Sequence, residues 1–248
     1  MIYNMIPGET YYWESAEDTN IYGTVKALGE RRIVDAGAVR NVRDLGGLEV
    51  DSDGDGTADG KLKYGRAFRG VRLATSSDIL SLEKLGITEE IDLRGSQTDP
   101  QLSNYVPLAI TNYEIDKENY SSNYTALRNA LTKAMDDVIN GQNIFFHCKI
   151  GTDRTGTFAY FLEGLLGVSE EDRLQDYELS YFYGVLNRHR FYSYQPGSSI
   201  THRFVYMHDL YPTNEDIYNY YMSGSTDATR DADAQRVIDF RNAMINYY

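Results

Sequence analysis

Residues 143–167 of this chain read NIFFHCKIGTDRTGTFAYFLEGLLG, and no other stretch limits the fold so tightly. The run NIFFHC reads as a strand, TGTFAYFLEGLLG reads as a helix, and only a short turn separates the two. The same alternation precedes it. TSSDILSLEKLG predicts a helix capped by Ser76 or Ser77, with Ile79, Leu82 and Leu85 on one stripe and Gly86 as its stop; ITEEIDLR follows as a strand. YTALRNALTKAMDDVIN predicts a second helix with Leu127, Leu131, Met135 and Val138 along one face, ended by Gly141. Strands alternating with helices predict an α/β fold: a central, mostly parallel sheet of four or five strands flanked by helices. In such folds sites form beyond the C-terminal ends of strands, and Cys148 sits at one.

With 248 residues the chain is expected to form a single domain, its core spanning about 35–190, with a tyrosine-rich helical C-terminal extension. That extension includes YFYGVLNRHRFYSY and IYNYYMSG, read as packing aromatics, and closes with a helix through Val237, Ile238, Phe240 and Met244. The formal charge of -13 argues against nucleic acid or an anionic membrane surface as a general partner, because both demand a surplus of Lys and Arg. No window is apolar enough for an integral membrane helix. The single cysteine excludes an intramolecular disulfide and leaves the compartment open. The N-terminal residues carry no basic start followed by an apolar stretch, so no signal peptide is expected within them.

The turn between strand and helix carries the chemistry. Cys148, Lys149, Ile150, Gly151, Thr152, Asp153 and Arg154 leave a strand and enter a helix, which aims successive backbone N–H groups and the positive helix end at one point. Such a nest holds a tetrahedral oxyanion, and a thiol beside it is favoured as the nucleophilic thiolate. Gly151 supplies conformational freedom, and Arg154 supplies a planar fork of donors for two phosphoryl oxygens. A buried, inert cysteine is the alternative, and the coincidence of glycine, arginine and helix start argues against it.

HCKIGTDRTG resembles the active-site signature of the protein tyrosine phosphatase superfamily. NVRDLGG (41–47), YGRAFRG (64–70), LGITEEIDLR (85–94) and DYELS (176–180) resemble segments of its atypical bacterial branch of tyrosine and lipid phosphatases. The resemblance covers roughly residues 41–180. It implies a cysteine-phosphatase-like fold and a cysteine-dependent phosphomonoesterase, a tyrosine or dual-specificity phosphatase, working through a phosphocysteine intermediate without a catalytic metal. By position, Cys148 is the implied nucleophile, Arg154 binds phosphate, Thr155 assists the departing thiolate and His147 orders the loop. Asp153 is the preferred general acid, with Asp116 as its rival; orienting Arg154 is the other role open to Asp153. Lys149 follows the cysteine as in some phosphoinositide 3-phosphatases, whereas Thr152 stands where the branch often has lysine. The expected partner is a phosphorylated substrate: a phosphotyrosine peptide, a phosphoinositide or an inositol phosphate, in that order. Non-enzymatic alternatives are a phosphate-binding module that has lost catalysis and a calcium-dependent interaction module. Sulfur transfer through a persulfide is a further enzymatic alternative, disfavoured by Arg154, Thr155 and Gly156. His189, His202 and His208 lack catalytic context and are read as structural or exposed.

A second motif stands apart. DSDGDGTADGKL places Asp51, Asp53, Asp55, the Thr57 carbonyl and Asp59 at calcium-loop spacing, with Gly56 at the sharp turn. Leu62 stands where the final bidentate carboxylate belongs. Weak structural calcium and a plain acidic hairpin turn both remain open, and calcium would favour an exported protein.

Overall fold

The computed structural model describes residues 4–110, 122–183 and 210–248. In chain order the strands are β1 (Thr10–Glu14), β2 (Tyr22–Lys26), β3 (Arg32–Ile33), β4 (Arg43–Asp44), β5 (Glu49–Val50), β6 (Gly60–Leu62), β7 (Ala67–Val71), β8 (Glu89–Asp92), β9 (Tyr105–Pro107), β10 (Ile144–Cys148) and β11 (Ile245–Tyr247). The helices are α1 (Ser76–Glu83), α2 (Ser122–Ile139), α3 (Asp153–Leu166), α4 (Glu170–Glu178), α5 (Asn214–Met222) and α6 (Arg230–Met244). None of the described helices is long and apolar enough to cross a membrane.

The central sheet runs β3-β4-β7-β10-β8-β9. Its four-strand heart, β7-β10-β8-β9, is parallel, as the strand–helix alternation predicts. Two antiparallel strands of two residues each extend it to six, too short to leave a periodic signal in sequence. β10 is buried at every position because it lies between β7 and β8 and is covered on both faces. Ile144, Phe146 and Cys148 join the larger core with α2, α3, α5 and α6, whereas Phe145 belongs to a smaller core beneath α1. Each fully buried Phe contributes roughly 1.5–3 kcal/mol through lost apolar hydration.

The predicted elements form at the predicted places, with two local revisions. The cap of α1 is Thr75 rather than Ser76 or Ser77, because Asp78 closes a capping box by accepting from the Thr75 and Ala74 N–H groups. Ile238 points away from the core at 49% exposure, while Val237, Phe240 and Met244 carry the buried face of α6. The hairpin β1-β2 was not foreseen: four of the five β1 residues, Tyr12 among them, are exposed, and only β2 alternates between exposed and half-buried positions. At the other end of the chain, β11 pairs with β6, so the C-terminal helix and strand pack on the same core as the thiol-bearing strand. The stretch YFYGVLNRHRFYSY lies largely outside the described residues, as do His189, His202 and His208.

β8 reads EEID, yet all four residues are buried. Each carboxylate therefore needs its own environment. Glu90 accepts the Leu102 N–H at 2.8 Å and contacts His147; Asp92 accepts from Arg94; Glu89 accepts from Asn104 Nδ2 at 2.7 Å and faces Asp137. Burial first, then the hydrogen bond and charge of Asp137, pushes the Glu89 carboxyl up from 4.5 to about 7. A folded-state value raised this way means the stabilisation is complete below the unfolded value and is lost as pH rises through about 7. The stability difference between wild type and Glu89→Gln, measured by urea unfolding, is expected to shift against wild type between pH 4.5 and about 7. A pH-independent difference would contradict this coupling.

Candidate active site

The loop from Cys148 to Arg154 joins the C-terminal end of β10 to the first turn of α3. Gly151 adopts φ +69°, and a Cβ there would lie 2.2 Å from the Gly70 carbonyl oxygen, so glycine is needed for conformation and for space. Among the described residues, no acceptor takes the N–H of Ile150, Gly151 or Thr152. The carbonyls on the other side of the ribbon are held: Gly151 O accepts from Asn41 Nδ2 at 3.1 Å and Arg69 Nη2 at 3.2 Å. Anchoring carbonyls behind the loop leaves its N–H groups free to converge in front, the geometry of an anion-binding nest.

Cys148 is buried, at 3% exposure, with its neighbours in the larger core. His147 behind it is fixed at both ring nitrogens: Nε2 lies 2.8 Å from Glu90 Oε1 and Nδ1 lies 3.1 Å from the Cys148 carbonyl oxygen. The structure thus puts His147 beneath the loop in a wholly polar-satisfied position. Thr155 is buried and its hydroxyl has no hydrogen-bond partner among the described residues. Lys149 and Ile150 are exposed, Thr152 is buried, and Arg154 is half-buried, the one residue of α3 that is not fully buried. Asp153 opens α3 and accepts from the Tyr177 hydroxyl at 3.3 Å. Asp116 lies outside the described residues.

A buried polar network supports the loop. Arg43 donates from Nε to Asp176 Oδ1 and from Nη1 to Asn41 Oδ1, both at 2.6 Å, and Arg69 Nη1 pairs with the other oxygen of Asp176. Ser180 Oγ accepts from Asn41 Nδ2 at 3.2 Å. Burial alone would raise the Asp176 carboxyl, but the charges of Arg43 and Arg69 outweigh it and hold it at about 2. Arg69 is lowered to about 10 by burial and by Arg43. Glu163, buried nearby with neither oxygen hydrogen-bonded, is pushed well above 4.5 by burial and by Asp176. Sequence reasoning gave none of Asn41, Arg43, Arg69, Asp176, Tyr177, Ser180 or Glu90 a role. The signal was present, since NVRDLGG, YGRAFRG and DYELS each contribute buried polar residues to one network, but only the fold reveals that they meet.

The acidic loop occupies the hairpin between β5 and β6 and meets the far end of α3, where the Asp51 N–H donates to Gly167 O at 3.0 Å. A helix of 14 residues separates it from the thiol by about 20 Å. Carboxylate oxygens of Asp51, Asp53 and Asp59 lie within 4.8 Å of one another. Asp55 stands outside that trio and accepts the Thr57 N–H at 2.8 Å. Leu62 is buried opposite Ile245, so the last ligand position is committed to the core. Asp176→Asn should destabilise the protein by ~3–5 kcal/mol in chemical denaturation, because it leaves two buried guanidinium groups without their full partner. A loss below ~1 kcal/mol, the range of a surface pair, would contradict the network.

The sequence model of the tyrosine phosphatase family matches residues 34–223. A protein of Cupriavidus necator, named by inference as a tyrosine-protein phosphatase, is 27% identical over a match covering 56% of this chain and 59% of that protein. The chain therefore spans about three fifths of that relative's length. Among solved structures, P. aeruginosa TpbA is similar at 14% identity and a TM-score of 0.40, covering 70% of this chain and 90% of that one. A TpbA structure in complex with pTyr gives 16%, 0.42, 59% and 89% for the same quantities. The core catalytic domain of the PP-IP phosphatase SIW14 from S. cerevisiae, in complex with citrate, gives 15%, 0.37, 71% and 93%.

Proposed function

The chain belongs to the tyrosine phosphatase family, and from that premise we propose that it hydrolyses phosphomonoesters through Cys148, with phosphotyrosine as its first substrate class. The observation that carries the reading is the loop whose carbonyls are tied back to Asn41 and Arg69 while the N–H groups of residues 150–152 stay without acceptors. A phosphate dianion is the ligand for which such a nest is shaped.

In the first step the Cys148 thiolate attacks phosphorus, an S–P bond forms, and the P–O bond to the leaving group breaks with the electron pair departing on oxygen. Asp153 gives that oxygen a proton; Asp116 is the alternative donor. In the second step water attacks phosphorus, its proton returns to the carboxylate, and the S–P bond breaks to release inorganic phosphate and the thiolate. The N–H groups of Lys149, Ile150, Gly151 and Thr152, with the Arg154 fork, stabilise the equatorial oxygens in both transition states. The unpartnered Thr155 hydroxyl is available to the departing thiolate. His147, pinned between Glu90 and the Cys148 carbonyl, holds the loop's first residue in place. No step calls for a metal. The chain is read as one phosphatase domain, because the C-terminal helices share the core beneath the thiol.

Cys148→Ser is expected to abolish hydrolysis of p-nitrophenyl phosphate while retaining phosphotyrosine-peptide binding, and Arg154→Lys to lower kcat about 10²–10³-fold. Residual turnover by Cys148→Ser would remove the mechanism. Asp153→Asn should cost about 10²–10⁴-fold on alkyl phosphates and far less on nitrophenyl phosphate, whose leaving group needs no acid. Equal losses on both would reassign the acid to Asp116.

We also infer that the Asp51, Asp53 and Asp59 trio binds calcium weakly, in a structural role away from the thiol. Three converging carboxylates suit a hard cation, and the missing ligand at Leu62 limits affinity. Millimolar calcium should raise Tm in wild type and not in Asp51→Asn; an unchanged wild-type Tm removes this reading.

A further inference from the structure

The segments HCKIGTDRTG and DYELS meet at one glycine. Gly156 lies within α3, where glycine is less favourable than alanine, and its φ is not positive, so backbone conformation does not demand it. Space does. A Cβ there would lie 2.5 Å from Tyr177 Cδ2 and 2.9 Å from Tyr177 Cε2, so only a residue without a side chain lets the Tyr177 ring seat against the helix. The same Cβ would stand 3.5 Å from Arg69 Nη2, which places the glycine beside the buried guanidinium behind the loop. The ring admitted in this way carries its hydroxyl to the tip of α3, where it donates to Asp153 Oδ1 at 3.3 Å. Asp153 is 8% exposed and Tyr177 2%, so the tyrosine lies on the buried side of the carboxyl. Tyr177 is itself held at the backbone. It follows Asp176 in α4, whose carboxylate oxygens pair with Arg43 and Arg69 and whose carbonyl accepts from Arg43 Nη2 at 2.6 Å.

We propose that Tyr177 is a positioning residue: clamped between Gly156 and the Arg43, Asp176 and Arg69 triad, its hydroxyl fixes the rotation of the Asp153 carboxyl and thereby the proton transfer to the leaving oxygen. This role presupposes the phosphatase reading above, with Asp153 as the acid, and adds to it a residue that acts only through Asp153. The χ2 torsion of aspartate is broad, so a carboxyl without a fixed partner samples many orientations. A proton crosses only within hydrogen-bond reach of the oxygen that receives it, so restricting that torsion favours the transfer. The phenolic oxygen both donates and accepts, and it therefore stays bonded to Asp153 in either protonation state. As the P–O bond breaks with its electron pair on oxygen, the proton passes from Asp153 to that oxygen, and the carboxylate left behind accepts from the Tyr177 O–H. Tyrosine gives up no proton. The benefit is greatest for an alkoxide, which leaves poorly without a proton, and least for nitrophenolate.

The test measures kcat/KM, which reports the first step, for an alkyl phosphate and for p-nitrophenyl phosphate, and reads the ratio of the two. The proteins compared are wild type, Tyr177→Phe, Asp153→Asn and the double variant. Tyr177→Phe keeps the ring that Gly156 admits and removes only the hydroxyl. It should lower the alkyl-to-nitrophenyl ratio about tenfold, the effect of one hydrogen bond to a charged group, and Asp153→Asn should lower it further. In the double variant the ratio should equal that of Asp153→Asn alone, because no acid remains to be placed. General damage to the loop or core lowers both esters together and adds to the loss in Asp153→Asn. Gly156→Ala, which displaces the ring from the opposite side, should move the ratio in the same direction as Tyr177→Phe. A ratio unmoved in Tyr177→Phe, or full additivity in the double variant, overturns the positioning role and leaves Asp153 as the acid. Inhibition by inorganic phosphate provides a second readout: a Tyr177→Phe protein whose phosphate binding weakens as much as its alkyl turnover has a damaged loop, which also overturns the role. A wild-type ratio in Asp153→Asn removes the acid assignment and this role together, and a wild type that hydrolyses neither ester removes the phosphatase reading with both.

Discussion

Two guanidinium groups sharing one buried carboxylate hold the centre of this molecule together. Arg43 and Arg69 come from neighbouring strands, and Asp176 comes from a helix more than a hundred residues later in the chain. Bringing three charges out of water is costly unless the geometry satisfies them, and here nearly every donor finds an oxygen. The residue that benefits is Gly151, whose carbonyl is drawn toward Arg69 and Asn41 and away from the space in front of the thiol. Remove the charge triad and the Gly151 carbonyl keeps only its bond from Asn41, itself oriented by Arg43. The interior salt bridge therefore serves geometry at the site more than it serves net stability.

The same arrangement explains how acidic residues populate the interior of this protein. Glu90 is used to pin a histidine, Asp92 to hold Arg94, and Asp176 to balance two arginines. Glu89 and Glu163 take the other route, with burial favouring their protonated forms. Three of these five carboxyl groups lie on β8 beside the thiol strand and a fourth, Glu163, on the helix α3 that follows it, so the environment of the site is set by charge placement as much as by apolar packing. The family membership accounts for the loop itself.

Much of the layout was legible in the sequence because helices and strands alternate with distinct periods and are punctuated by Gly86, Gly141 and Gly167. The thiol, its loop and the helix behind it share one continuous segment, so local reasoning sufficed to single out Cys148 and Arg154 as candidates. The supporting network was not legible in the same way. Asn41, Arg43, Arg69, Asp176 and Ser180 are polar residues whose burial depends on tertiary contacts, and composition marks such residues as surface by default. The two-residue strands β3 and β4 were invisible for a related reason: a strand that short has no periodicity, and only pairing defines it. The acidic loop illustrates a third limit. Its spacing singled out Asp51, Asp53, Asp55 and Asp59 and suggested a hairpin turn, but its position at the opposite end of α3 followed only from the fold.

Every residue of α3 other than Arg154 is buried, wedged between the sheet and helices α2, α5 and α6. A rod gripped along its whole length cannot tilt or slide when a guest arrives. The cup at its tip is accordingly rigid before any encounter, and capture incurs little ordering entropy there. Discrimination between guests then falls to the long, solvated side chains at the lip, which can be exchanged during evolution without disturbing the chemistry beneath them.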